Sequence, residues 1–414
     1  MKILQVNTVI RSGSVGRITA DLYETIKASG NEARVAVGRE PFPEDMDGIL
    51  IGNKGDFYRH VMKNFFLGEA GFGSADVTRR LLAWMEKEKP DLIHLHNIHG
   101  FYLQVELLFD YIKKRNIPVV WTLHDCWSFT GHCAYYDYAA CDKWKEGCNN
   151  CIHHAKVYPY ALFKDNSIDA YKRKRTAFCG VKNLTIVTPS HWLKGQVEQS
   201  FLKEYPVKVI PNGINLEVFC PQEMKVKEAA SAEGECNSAQ KKDKKIVLGV
   251  ANIWEHRKGL SYFEKLANDL SDEYQIQLIG VSKKQKKELD KKYKGKIKAI
   301  MRTSSVEELA DAYRNADVFV NATLEDNFPT TNLEALACGT PVVTYATGGS
   351  GESVTEKTGI VVQRANYQAL LLAVVKACVD GAFDSAECRK RAEEYDKHKR
   401  YEEYLKLYRE ILDN

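Results

Sequence analysis

Short runs of β-branched and aliphatic residues recur along this chain, separated by stretches with helical spacing, and the pattern restarts once near residue 244. In the first half the apolar runs fall at 2–7, 33–38, 91–95, 117–123, 184–189 and 207–210, with helical stretches such as 17–29 and 75–88 between them. The second half begins with "KKIVLGV" (244–250) and continues through "YQIQLIG" (274–280), "IKAIM" (297–301), "ADVFVNA" (316–322) and "TPVVTY" (340–345). A short strand followed by a helix returns the chain parallel to the strand before it, so the pattern predicts two α/β units with parallel sheets. At 414 residues the chain also exceeds what one ordinary core supports. Between the halves, "PQEMKVKEAASAEGECNSAQKKDKK" (221–245) is charged, nearly free of large apolar residues and unable to bury a core. The expected division is an N-terminal domain over 1–205 with a cysteine-rich insert at 126–160, a connection over 206–245, a C-terminal domain over 246–395, and a terminal helix over 396–414 packing back on the first domain. No repeat of solenoid length interrupts this reading.

The hydrophobic content of 44% and charged content of 28% are those of a water-soluble globular chain. No run approaches the ~18–20 apolar residues of a membrane span. The net charge of +4 suits a mildly basic face towards phosphate and does not point to nucleic acid. The opening "MKILQVNTVI" reads as a first strand rather than a signal peptide. With 11 cysteines, an odd number, the expectation is a reducing cytoplasm rather than a disulfide framework.

Several stretches carry candidate chemistry. In "NTVIRSGSVGRITADLYETI", Gly13 and Gly16 sit where a strand gives way to a helix, which suits either a tight turn or a loop that lets backbone approach a ligand. The spacing is not G-x-G-x-x-G, so a dinucleotide fingerprint is absent. "PVVWTLHDCW" puts His124 and Asp125 at the carboxyl end of a buried strand, the edge at which open α/β sheets bind ligands; a histidine that merely caps the strand is the competing reading. "HLHNIHG" (94–100) makes a similar end with three histidines, too few ligands by themselves for a zinc site. Cys133, Cys141, Cys148 and Cys151 fall within 19 residues as C-x7-C-x6-C-x2-C, and the last pair has knuckle spacing. Four thiols this close suit a structural zinc, with packing thiols and a redox role as alternatives, and the polarity of the insert suggests that it needs such a staple. In "ANIWEHRKG", Arg257 and Lys258 precede a helix start, where the dipole disfavours cations; that mismatch is relieved if a diphosphate binds there. "FYRHVMKNFFLGEAGFG" (57–73) mixes cations with aromatics and reads as a capping loop or as a surface that touches lipid.

Together "ANIWEHRKG", "ADVFVNATLEDNFPTTNLEALACGTPVV" and "ATGGSGE" resemble the retaining glycosyltransferases of family 4, which have the GT-B fold. "PDLIHLHNIHG", "PVVWTLHDCWSFTGHC", "GCNNC" and "IVTPSHWL" resemble the bacterial subgroup assigned to capsule, exopolysaccharide and colanic-acid-like polymers. The similarity spans nearly the whole chain outside 221–245. It implies two Rossmann-like domains facing a central cleft. The family's E-x7-E motif falls on Asp326 and Glu334; the first position is Asp here, with Glu325 just before it, and which of these two meets the sugar stays open. The family's upstream phosphate-binding arginine falls near Asn252, leaving Arg257 to take its place. The active-site histidine matches His124, and the glycine-rich loop matches Gly13 and Gly16.

The resemblance implies transfer of a hexose from a nucleotide sugar (UDP- or GDP-linked) to a saccharide hydroxyl with retention, without an obligatory metal. His124, Glu325 and Asp326 would act at the sugar. Gly13, Gly16, Arg257, Lys258, Asn327, Phe328, Thr330, Thr331 and Glu334 would hold the donor, with Thr330 capping the helix and Glu334 on the ribose. By analogy the acceptor is lipid-linked, which would bring the protein to the inner membrane face. A GT-B-like epimerase lacks the acidic helix motif, a nicotinamide oxidoreductase would need the missing fingerprint, and a non-catalytic binding protein would be expected to lose the phosphate or acid groups.

Overall fold

The structure, a computed structural model, describes residues 1–39, 41–222 and 244–413. Residues 223–243, most of the expected flexible connection, lie outside the described residues. The chain divides into two units, Met1–Pro211 with His398–Asn414, and Asn212–Lys397.

In the first unit, β1 (Lys2–Asn7), β2 (Glu32–Val37), β3 (Gly48–Leu50), β4 (Leu92–Leu95), β5 (Val119–Thr122), β6 (Leu184–Thr188) and β7 (Val207–Val209) form one sheet in the order β3-β2-β1-β4-β5-β6-β7. All its pairings are parallel. Helices cover both faces of such a sheet, so β4 and β5 are buried throughout, which explains their unbroken apolar character. Helix Gly13–Ala28 presents Ile18, Leu22 and Ile26 at intervals of four, a stripe that packs on one face. Helix Lys397–Leu412 adds Tyr401, Tyr404, Leu405 and Tyr408 to the same core, beside Ile3, Leu22 and Val120.

In the second unit, β8 (Lys245–Val250), β9 (Tyr274–Ile279), β10 (Ile297–Ile300), β11 (Val318–Asn321), β12 (Val342–Tyr345) and β13 (Gly359–Val362) form a parallel sheet in the order β10-β9-β8-β11-β12-β13. Each unit is therefore a doubly wound sheet. The strand order reverses between β1 and β4 in one and between β8 and β11 in the other, and ligands bind outside the carboxyl ends of strands at such points. The two-domain α/β architecture anticipated from the sequence is the one observed.

Three expectations need correction. The connection does not begin at 206, because Val207–Val209 pairs with β6 and completes the first sheet. Most of the 57–73 stretch is not a loop: helix Lys54–Leu67 runs through it, started by a reciprocal capping box between Asn53 and Asp56. The insert is not too polar to pack, since Trp127, Phe129, Tyr136 and Trp144 are buried in the first unit's core. Trp144 lies 5.1 Å from Phe129 and 5.0 Å from Tyr136 between ring centroids. These aromatics follow no helical or strand period, which is why composition hid them.

Candidate functional site

The second unit assembles its candidate groups at the β8/β11 switch point. After β8 the chain makes a short turn of 3-10 helix, His256–Lys258, and Gly259 follows with φ +77°. A Cβ at Gly259 would sit 2.1 Å from the Ala322 carbonyl oxygen, so only glycine lets this turn lie against the loop that leaves β11. Backbone bonds weld the two segments: Leu324 N–H donates to the Arg257 carbonyl at 2.7 Å, and the Thr323 hydroxyl donates to the same oxygen at 3.3 Å.

That contact brings both cations to the acids. Lys258 Nζ lies 2.5 Å from Asp326 Oδ2, and Arg257 donates to the Glu325 carbonyl at 3.2 Å while pairing with Glu255. Burial pushes the Asp326 carboxyl up, but the charges of Lys258 and Arg257 outweigh that effect, so it sits below the ordinary range and is ionised. Glu325 and Asn327 are buried, and Phe328 packs on Tyr395 with ring centroids 5.7 Å apart.

Helix Thr330–Ala337 begins here. The residue at its cap is Pro329, and no side chain caps it, so Thr330 is the first helical residue rather than the cap expected from the sequence. Asn332 N–H is also not open to a ligand, since it donates to the Pro329 carbonyl at 3.2 Å. The Asn332 side chain bonds to Asn321 and to the Ser350 carbonyl, tying the helix start to β11 and to the "ATGGSGE" loop. That loop is held in turn by Thr347, whose hydroxyl donates to the Thr323 carbonyl at 3.1 Å. Glu334 is 2% exposed and accepts from the Tyr313 hydroxyl at 2.9 Å, a partner the sequence did not suggest.

In the first unit Gly16 has a packing role. Its carbonyl accepts from Arg11 N–H at 2.9 Å, and a Cβ there would press on Val9 and Ile10. Gly13 differs: it opens its helix at φ +65° with nothing within 4 Å of a built Cβ. At the ends of β4 and β5, His96 Nδ1 lies 3.1 Å from His124 Nε2, and His99 Nε2 lies 2.7 Å from Asp125 Oδ2. Asp125 also accepts from Trp127 N–H. His94 is bonded to Thr122 and to Tyr408 of the terminal helix. Burial pushes His124 down to about 4, and His94 and His96 well below their usual value, so all three rings are neutral near pH 7. The histidines thus hydrogen-bond to one another and to fixed protein partners.

Cys133, Cys141, Cys148 and Cys151 border one pocket of about 250 Å³ in the insert. Cys133 and Cys151 share a hydrogen bond that holds the Cys151 thiol below its usual value and pushes Cys133 well above it. Cys148 accepts from Gly131 N–H. Four thiols suit zinc as a donor set. Among the described residues, however, no three His, Cys, Asp or Glu side chains converge to hold an ion, so a metal would require these side chains to turn. Nearby, the buried Lys174 donates to the Trp127 and Thr130 carbonyls at 2.7 and 3.0 Å and lies over the Trp127 ring, fastening the insert to helix Ser167–Phe178. Nothing in the sequence pattern marked it.

Comparison with known proteins agrees with this geometry. A profile described as Glycosyltransferase Family 4 matches residues 15–218, and one described as Glycosyl transferases group 1 matches 244–380. WcaC of Escherichia coli K12, named for glycosyl transfer in colanic acid biosynthesis, is 23% identical over 99% of this chain and 100% of its own. An N-acetylgalactosaminyltransferase of Campylobacter jejuni acting on N,N'-diacetylbacillosaminyl-diphospho-undecaprenol is 29% identical over 51% of this chain and 57% of its own. Among solved structures, sucrose-phosphate synthase of Thermosynechococcus elongatus superposes with a TM-score of 0.72 at 18% identity, covering 100% of this chain and 99% of that one. The lipopolysaccharide glycosyltransferase WaaG superposes with a TM-score of 0.65 at 14% identity, covering 98% and 99%. With two matched profiles that between them take in twelve of the thirteen strands, and a full-length relative named for polysaccharide biosynthesis, this chain belongs to glycosyltransferase family 4 and has the GT-B fold.

Proposed function

We propose that the protein transfers a hexose from a nucleoside diphosphate sugar to a saccharide hydroxyl, with retention at the anomeric carbon, during surface polysaccharide biosynthesis. The observation that carries this reading is the Lys258–Asp326 pair beside the start of helix Thr330–Ala337. The paired cations Arg257 and Lys258, with the helix dipole, suit a diphosphate leaving group and can stabilise its growing charge without a metal. Lys258 exchanges Asp326 for phosphate, and the released acid meets the hexose hydroxyls. Glu334, one turn into the helix, reads the ribose. The acids thus flank the anion instead of competing with it. Calorimetric titration with UDP and GDP tests the assignment. Lys258→Ala should weaken whichever nucleotide binds by roughly 1.5–3 kcal/mol, the scale of a charged hydrogen bond. Unchanged affinity would remove the diphosphate from this site.

The acceptor is proposed to be lipid-linked, a reading supported by the diphospho-undecaprenol in the name of the Campylobacter relative. Among the described residues no helix is long and apolar enough to cross a membrane, so access to such an acceptor would be peripheral. A surface of the first unit suits that contact. Tyr58, Met62 and Phe66 stand at intervals of four on helix Lys54–Leu67, and all are exposed. The exposed Phe163 stacks on Phe66 at 5.0 Å, and Arg59 and Lys63 lie on the same helix. Aromatics with flanking cations match an anionic lipid interface. Sedimentation with phosphatidylglycerol vesicles should retain the wild type and lose the double variant Phe66→Ser/Phe163→Ser; equal binding by both would discard this surface.

A further inference from the structure

Gln5 sits in the middle of β1, fully buried between Leu4 and Val6. A buried amide is costly unless its groups are bonded, and both ends of this one are. Its Nε2 donates to the Thr19 carbonyl at 3.2 Å, and its Oε1 lies 3.2 Å from His96 Nε2. The backbone carbonyl can only accept, so it fixes which way the amide points. Oε1 can only accept in its turn, so His96 carries its proton on Nε2. A neutral His96 therefore has its lone pair on Nδ1, and that nitrogen faces His124 Nε2 at 3.1 Å. For this last bond to form, His124 must be the donor. Each step follows from the one before, starting at a peptide group whose role cannot change.

We infer that Gln5 is a positioning residue that fixes His124, through His96, as the Nε2–H tautomer, so that Nδ1 is the accepting nitrogen of that ring. The loss of turnover expected below rests on the glycosyltransferase reading above; the tautomer does not. An accepting ring nitrogen repels an anionic oxygen and suits an O–H donor, the chemistry of a sugar hydroxyl rather than of a phosphate. His94 does not enter the relay, because its nitrogens are taken by Thr122 and Tyr408.

Two-bond 1H–15N correlation spectra of the full chain, labelled on the histidine rings, read the tautomer directly. The His124 signals are identified by their loss in His124→Gln. The wild type should show a protonated-type shift at His124 Nε2 and a lone-pair-type shift at Nδ1. In Gln5→Leu, His96 loses its acceptor, should move its proton to Nδ1 and should thereby switch His124 to the Nδ1–H form. Turnover should then fall roughly 10²-fold, as for a misplaced polar group in catalysis, with the nucleotide dissociation constant unchanged. Should Gln5→Leu not fold, Gln5→Asn, too short to span Thr19 and His96, serves as the variant, and the wild-type spectrum decides the tautomer without either. A proton on His124 Nδ1 in the wild type, or an unaltered His124 tautomer in the folded variant, overturns the inference. The expected tautomers in a protein that transfers no sugar would instead count against the glycosyltransferase reading alone.

Discussion

Replacing Gly259 by alanine tests whether the cation turn must lie against the β11 loop. Two costs add at this position. A non-glycine residue at φ +77° costs ~1–2 kcal/mol, because its Cβ crowds the following carbonyl. The same Cβ would meet the Ala322 oxygen at 2.1 Å and its carbon at 2.9 Å, and both atoms belong to a buried backbone that cannot turn aside as a side chain could. Overpacking of this kind adds ~1–3 kcal/mol. The total, ~2–5 kcal/mol, should lower the melting transition by roughly 5–15 °C for a unit of this size. If the strain is relieved by movement of the turn, Arg257 and Lys258 leave Glu325 and Asp326, and affinity for UDP or GDP should drop about tenfold or more. Gly13→Ala is the control, since it has φ +65° and nothing within 4 Å of the added carbon, leaving only the backbone cost. Circular dichroism melts of both variants, with calorimetric titration of Gly259→Ala against the wild type, make the comparison. If Gly259→Ala melts with Gly13→Ala and binds nucleotide as the wild type does, the close approach to Ala322 is not what holds the cations in place.

Glu334→Gln preserves an acceptor for the Tyr313 hydroxyl and removes only the charge. Thermal stability should therefore stay near that of the wild type while nucleoside diphosphate affinity weakens by roughly 1.5–3 kcal/mol; normal affinity in calorimetry would contradict the ribose role. His60, buried against Ser74 and the Glu69 carbonyl, is pushed down by burial from 6.5 to about 4. Its contribution is complete above pH 6.5 and is lost as the pH falls towards 4, roughly 3 kcal/mol in all, so urea midpoints over that range should fall less steeply in His60→Gln. Identical slopes would refute the assignment. The thiol pocket is proposed to hold a structural zinc, with about one equivalent in metal analysis and a loss of both metal and stability in Cys148→Ser. Metal-free protein of equal stability would make these cysteines packing thiols.

Much of the fold was legible because parallel strands buried on both faces are continuous apolar runs, and 11 of the 13 strands coincide with runs visible in the sequence. Gly48–Leu50 was missed because it is a three-residue edge strand with no buried residue. Gly359–Val362 was missed because its short apolar run follows a string of turns. Among the candidate residues, Arg257 and Lys258 were legible as an electrostatic mismatch at a helix start and Asp326 through its place in the family's acidic motif, and the structure brings them together. Their partners were harder to read. Tyr313 meets Glu334 from another helix, and Gln5 meets His96 across 91 residues, so the first contact depends on helix packing and the second on sheet register rather than on local spacing. Lys174 was hidden for a related reason, since a lysine on a charged helix looks solvated until tertiary packing gives it two carbonyls and a ring.

The most direct test of sugar transfer is a donor screen that follows release of UDP or GDP from a panel of nucleotide sugars, in the presence of lipid-linked and free saccharide acceptors. Parallel reactions should contain EDTA, and parallel protein should carry Lys258→Ala. The expected result is acceptor-dependent release from one donor class, insensitive to EDTA and lost in the variant. Absence of release from every donor, with no nucleotide binding by calorimetry, would contradict the assignment of this chain as an active glycosyltransferase.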